Sequence, residues 1–396
     1  MTDAISRMGL RRMVARDTDA PGRVASPLEL LFDLVFVVAI SQASSKLHHL
    51  ISEDHVGQGV LAYLMVFFSV WWAWMNFTWF ASAFDTDDWL YRVTTIVQMA
   101  GVLVLAAGVH AAMVDSDYTL VTIGYVIMRL AMVAQWLRLA ASDPASRPTA
   151  LRFAGGIALV QVLWVARLAL TDQTLLLVTF FALMVFEVAV PVFAEARGRT
   201  PWHPHHIAER FGLFTLLLLG ESLLASSNAL IDALAEGEHV ADLVGLAASG
   251  LVITAAIWWI YYAREQHDRL SKARRGFAFG YPHYAIFAAV GAVSAGVEVE
   301  IDEITGHTEV SDAVAGLALT VPLAVFLVVV WAVLLRRRIA PWVSGIVLVT
   351  VVVVVAAGLL PLGEYAVAAV VMVAVVIALE VDGARRVRGA LGERVG

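Results

Sequence analysis

Uncharged apolar runs recur from one end of the chain to the other, each close to the length of a membrane crossing, and they leave no stretch free for a separate soluble catalytic domain. Crossing about 30 Å of hydrocarbon takes roughly 20 helical residues, and a helix satisfies its own backbone polar groups on the way. Bounded by charge or by Pro and Gly, twelve such runs lie at 28–47, 57–80, 92–113, 118–141, 151–171, 175–194, 211–232, 241–263, 281–300, 313–335, 341–357 and 364–381. The eleventh is short. A chain that is 60% hydrophobic and 15% charged, with mean hydropathy +0.79, fits the same expectation: an all-α, polytopic integral membrane protein whose solvent is the lipid bilayer.

The opening stretch "MTDAISRMGLRRMVARDTDAPGR" has arginines but neither an adjacent apolar segment nor a small-residue cleavage site, so no signal peptide is expected there. The chain has no cysteine, which excludes disulfides and thiolate chemistry. Walker motifs and large nucleotide-binding segments are missing, which argues against a self-contained ATP-driven pump, and no cofactor is expected.

Charge placement says more than the net value of −7. If the connections alternate sides from a cytoplasmic N-terminus, 24 of the 27 Lys and Arg residues fall on the cytoplasmic side. These include the arginines of segment 1–27, Arg138, Arg147, Arg197, Arg264, Arg269, Lys272, Arg274, Arg275, the triplet Arg336 to Arg338, and the tail from 382 to 396. The other side keeps Lys46 and Arg167, and its loops carry Asp115, Asp117 and the acids between 302 and 312. Twelve spans in a bacterial inner membrane, with both termini cytoplasmic, are therefore expected. Basic loops of this kind set topology and do not imply nucleic-acid binding.

The two halves of the sequence resemble each other. "WWAWMNFTWFASAFD" ends the second run and "WWIYYAREQHD" ends the eighth; "AAGVH" closes at His110 and "SAGVE" at Glu298, about 188 residues apart. "GGIALV" from Gly155 matches "SGIVLV" from Ser344, "VFEV" around Glu187 matches "ALEV" around Glu380, and "ASSK" ending at Lys46 matches "ASSN" ending at Asn228. Their common order predicts two six-helix repeats, 28–194 and 209–381, joined by a cytoplasmic His/Pro-containing linker at 195–208. Six is even, so the repeats are expected to run parallel about an axis along the membrane normal.

Polar residues within these runs need a reason. In "ELLFDLVFVVAIS", Glu29, Asp33, Ser41 and Ser44 share a helical stripe, and lipid is a poor neighbour for carboxylates. Two readings follow for Glu29 and Asp33: a helix cap with a structural anchor, or part of an ion or substrate pathway. Glu221, near mid-span in "LLLLGESLLASS", lies deepest of the acids, with a bond to an adjacent helix or to Arg129 as its plainer role and proton exchange as its sharper one. Arg129, Glu187, His110, Glu298 and His283 complete the candidate polar core. His203, His205, His206 and Glu209 match no named zinc spacing, and their prolines suggest a charge-capped cytoplasmic loop. Tryptophans 71, 72, 74, 79, 258 and 259 are expected in interface belts.

Four blocks carry a family resemblance: "SPLELLFDLVFVVAISQ" from Ser26, "WHPHHIAERFGLFTLLLLGES" from Trp202, "WWIYY" from Trp258 and "YPHY" from Tyr281. On these the chain resembles the bacterial low temperature requirement A family over nearly its whole length. Pro282-His283 stands where the family commonly has Gly-His. The resemblance implies a bacterial membrane protein without assigning a reaction, and it marks Glu29, Phe32, Asp33, His203, His206, Glu209, Arg210, Gly220, Glu221 and His283. Twelve spans with intramembrane acids favour a secondary transporter or an ion- or proton-conducting protein for a small ion, proton or solute. The alternatives are a structural or stress-sensing membrane protein, or a membrane-embedded enzyme acting on lipid.

Overall fold

A computed structural model describes residues 9–18, 23–196, 198–237, 239–266, 270, 276–360 and 363–395. Arg7, Arg197, Arg269, Lys272, Arg274 and Arg275 lie outside the described residues, as does the side chain of Arg394. The described secondary structure is helical: α1 Pro27–Ser52, α2 Val56–Phe84, α3 Trp89–Val114, α4 Thr119–Ser142, α5 Arg147–Arg167, α6 Gln173–Glu195, α7 Pro204–Glu236 and α8 Val240–Tyr262. After the short α9, Gly276–Gly280, come α10 His283–Thr305, α11 Asp312–Val330, α12 Pro341–Ala357 and α13 Glu364–Val395. A π turn, Trp331–Leu335, prolongs α11.

Among the described residues ten helical stretches are long and apolar enough to cross a membrane: α1 to α6, α8, the α9–α10 stretch, α11 with its π turn, and α13 as far as Arg388. The apolar α12 has 17 residues, and α7 is not among the ten. Helix α7 also begins earlier than expected. The segment from Pro204 to Ala208, expected as linker, already belongs to its opening turns, because proline at a helix start loses no hydrogen bond that the helix would have made.

Local chemistry sets several boundaries. Ser26 and Glu29 form a reciprocal cap on α1: the Ser26 backbone N–H donates to Glu29 Oε2 over 2.8 Å, and the Glu29 N–H donates to Ser26 Oγ over 3.3 Å. Asp88 caps α3 by accepting from the Tyr91 N–H, and Asp172 caps α6 by accepting from that of Leu175. Gly306 ends α10 at φ 74°, where a side chain would be strained.

The chain divides into two compact units. The first holds the residues up to Ala43 and Met65–Arg210; the second holds Ser44–Leu64 and the chain from Phe211 onward. Within the first, α3 packs on α4, α4 on α5 and α5 on α6. The second repeats that succession with α10, α11, α12 and α13, and sets α8 against α13. Glycine permits close helix approach in both units. A Cβ on Gly108 would stand 2.6 Å from Leu120 Cβ, and one on Gly296 would stand 2.6 Å from the Ala318 carbonyl oxygen. Small residues are what allow helices to close up where lipid supplies little hydrophobic drive.

Candidate functional site

Two enclosed ionic clusters stand out in the first unit. The first joins one face of α1 to the opening turns of α7. Glu29 and Asp33 are one turn apart on α1, as His206 and Arg210 are on α7, so each helix offers two adjacent rungs. Arg210 Nη1 lies 2.9 Å from Glu29 Oε1, and its Nε donates to Asp33 Oδ2 over 3.0 Å. Its Nη2 reaches Asp33 Oδ1, which also accepts the Trp74 indole N–H over 2.6 Å. His206 Nε2 lies 3.2 Å from Glu29 Oε1, while its Nδ1 has no partner among the described residues. All four ionisable side chains are buried.

The second cluster centres on Glu187 of α6. Its Oε2 accepts from Trp72 Nε1 of α2 over 3.0 Å and from Arg129 Nη2 of α4 over 2.9 Å, and its Oε1 accepts from Gln161 Nε2 of α5 over 2.8 Å. Arg129 and Glu187 are both wholly enclosed. An ion pair so placed is held by every neighbour at once, because losing any partner strands a charge out of water.

Trp72 and Trp74 are therefore core residues, which corrects their expected place in an interface belt. A buried indole N–H usually meets an acceptor, and for Trp72 and Trp74 the carboxylates of Glu187 and Asp33 are those acceptors. In the second unit, Trp259 Nε1 of α8 donates to Glu380 of α13 over 2.8 Å with both side chains exposed, and Tyr261 faces the Thr215 hydroxyl.

The other candidate residues lie elsewhere. Glu221 is half-buried on α7 in the second unit, whereas Asp33 and Glu187 are fully enclosed; depth along a span and enclosure by protein are separate quantities. His110 is exposed on α3. Glu298, half-buried on α10, lies 3.1 Å from His48 Nδ1, and the Nε2 of that histidine meets Asp302 Oδ2 at 2.6 Å. His283 is buried against Phe211 and Phe287, its Nδ1 2.6 Å from the Phe279 carbonyl and its Nε2 3.1 Å from the Tyr261 hydroxyl. His203 is buried and its backbone N–H donates to Ser82 Oγ, while Glu209 takes the Ala25 N–H. Phe32 packs on Phe77 at 3.9 Å. No group of three or more His, Cys, Asp or Glu side chains is gathered as a metal site among the described residues.

A polar cavity of about 410 Å³ opens onto the first cluster. Arg11, Arg16, Arg23, Asp85 and Asp87 line it, and Glu29 forms part of its wall. Asp88 fastens this region: it accepts from Arg138 Nη1 over 2.9 Å and from the Arg11 backbone N–H over 3.0 Å. Burial alone would raise its pKa, but the Arg138 bond and the backbone N–H groups of Tyr91 and Arg11 bring it below the usual value. Asp85 moves the other way, raised by burial and by the neighbouring Glu29. Arg23 is lowered by burial and by Arg16.

An α-helical, multiply spanning membrane protein with carboxylate–arginine pairs enclosed among its helices is the class that fold and site define. Sequence comparison places it further. The model of the family described as Bacterial low temperature requirement A protein (LtrA) matches residues 24–379, and the chain belongs to that family. An uncharacterized protein of Rhizobium meliloti (strain 1021) is 27% identical over 290 residues, covering 67% of this chain and 68% of its own length. No solved structure matches.

Proposed function

We propose that this chain is a transporter or an ion- or proton-conducting protein of the bacterial cell membrane, and that Glu29 and Asp33 take part in moving charge. The supporting observation is the position of Glu29, which forms part of the wall of the open polar cavity and touches the enclosed His206 and Arg210. With His206 neutral, the cluster sets two carboxylates against one guanidinium, so one proton brings it to neutrality in a place where unbalanced charge is expensive. His206 is suited to relay that proton, having Nε2 against Glu29 and an unpartnered Nδ1.

The accompanying topology is twelve spans in two parallel six-helix repeats, with both termini cytoplasmic. The asymmetry of basic residues supports the orientation. The alike pairs Trp72–Glu187 and Trp259–Glu380 support the repeat.

The test is flux. Purified protein in liposomes is assayed for proton, cation and anion movement beside Glu29→Gln and Asp33→Asn, using variants that remain monodisperse. The parent is expected to conduct, and each variant to lose flux or shift its pH dependence. A parent that passes none of these ions under either polarity of voltage ends the proposal, and variants that conduct like the parent remove the two acids from it.

A further inference from the structure

The first unit holds a second space, walled mostly by apolar surface with a few polar groups, that the carboxylate site does not use. It lies among α2, α4, α5 and α6 and has a volume of about 10 Å³, with Ser69, Tyr118, Thr122, Tyr125, Trp164 and Arg167 in its wall. Tyr118, the cap of α4, is followed on one stripe by Thr122, Tyr125 and Arg129, and Gln161, Trp164 and Arg167 form a stripe on α5, so the helix faces that wall the space also carry the Arg129–Glu187 pair's neighbours. Tyr125 links the two, its ring 5.8 Å from the Arg129 guanidinium.

Charge and donors are in excess here. Arg167 is 4% exposed, and no carboxylate lies within ion-pair distance of it among the described residues. Its Nε and Nη2 both turn to one acceptor, the Leu176 carbonyl, at 3.1 and 2.8 Å. The rings of Tyr118, Trp164 and Phe180 surround it at 5.6, 5.9 and 5.6 Å, which eases the desolvation of the cation without cancelling its charge. Trp164, 5% exposed, lines the space, and its indole N–H has no partner among the described residues. Glu187 does not make up the deficit, because Arg129 already balances it. Among α2, α4, α5 and α6 the buried charged side chains of the described residues are therefore two guanidinium groups and one carboxylate.

We infer that this space is a binding site for a single halide-sized monovalent anion, held by the Arg167 charge and the Trp164 N–H. Size and charge choose the class. The space leaves only about 10 Å³ for the centre of a water-sized sphere, which suits a single-atom anion better than the larger sulfate or phosphate. One water would satisfy the indole and leave the Arg167 charge unbalanced in the interior, whereas an anion answers both needs. The aromatic rings around it exclude competing water, which strengthens the attraction. This site is independent of the carboxylate proposal, since it calls for binding and not for flux.

The experiment uses the full chain in nanodiscs, with sodium chloride or bromide as probe against sodium gluconate at equal ionic strength, and follows the thermal unfolding midpoint. Chloride and bromide are expected to raise the midpoint saturably, and gluconate and sulfate to leave it unchanged. Trp164→Phe removes the N–H while keeping a ring, and should raise the half-saturating concentration about tenfold, the scale of one hydrogen bond to a charged group. Arg167→Gln should abolish the response. Equal midpoints in chloride and gluconate overturn the site, and so does an unchanged half-saturation in Trp164→Phe, a variant mild enough to decide the matter if Arg167→Gln fails to accumulate.

Discussion

Arg129 Nη2 stands 2.9 Å from Glu187 Oε2 with both side chains fully enclosed, and the two residues come from helices that are not consecutive in the chain. Glu187→Gln should therefore strand the arginine and cost about 3–5 kcal/mol, as removal of one partner of a buried pair does. Glu380→Gln, at the exposed counterpart, should cost under about 1 kcal/mol. Denaturation midpoints of the two variants in one detergent check the contrast, and replacing Arg129 and Glu187 together by Met and Leu should recover much of the loss.

Capping and ion pairing by Glu29 can be separated. Ser26→Ala removes the hydroxyl that receives the Glu29 N–H and should cost roughly 1 kcal/mol, with no effect on any pH-dependent flux. Glu29→Gln keeps a side chain able to accept the Ser26 N–H but removes the charge facing Arg210, so its effect should appear in the pH profile. Equal effects of the two substitutions on that profile would contradict the assignment.

Close helix contacts predict a graded response to added methyl groups. Gly108→Ala and Gly296→Ala both push a Cβ into the neighbouring helix and should each lose about 1–3 kcal/mol. Gly155→Ala, which meets open space, should be neutral or slightly stabilising. Thermal unfolding of the three variants side by side is sufficient.

The fastening at Asp88 should depend on acid in one direction. Its folded pKa is below the ordinary value, so its stabilisation is fully present above about pH 4, the unfolded value, and is lost as the pH falls through the folded one. Asp85 has a raised folded pKa and contributes with the opposite sign, favouring the folded state as it takes up a proton. The protection of the amides of residues 9–18, taken relative to their intrinsic exchange rate at each pH, should fall on acidification in the parent. In Asp88→Asn it should be low at both pH values.

Because the chain has no cysteine, single introduced thiols report topology cleanly. Ala145→Cys and His307→Cys, both at exposed positions between helices, should react with an impermeant reagent from opposite sides of the membrane. Labelling of both from one side would refute the twelve-span count.

Much of the fold was legible because the signals are local. A run of apolar residues ended by charge is helical in lipid whatever surrounds it; each of the twelve expected runs overlaps a helix for most of its length, and ten of the described helical stretches are long and apolar enough to cross a membrane. Errors arose where the signal was not local. Prolines around 201–204 suggested a loop, yet Pro204 opens α7 and so brings His206 and Arg210 onto one helical face. The tryptophans suggested an interface, yet Trp72 and Trp74 are enclosed because their acceptors sit on α6 and α1.

Composition and apolar spacing by themselves determined the solvent, the helical class, the approximate span limits and the internal resemblance, since each rests on backbone satisfaction and transfer energies that neighbouring residues settle. The tertiary structure alone decided which charges meet. Arg210 pairs with Asp33 and Glu29, and Arg129 with Glu187, because the rotation and register of the packed helices align them. In a membrane helix the lipid-facing and protein-facing sides are both apolar, so periodicity carries little record of that rotation, and only the packed helices supply it.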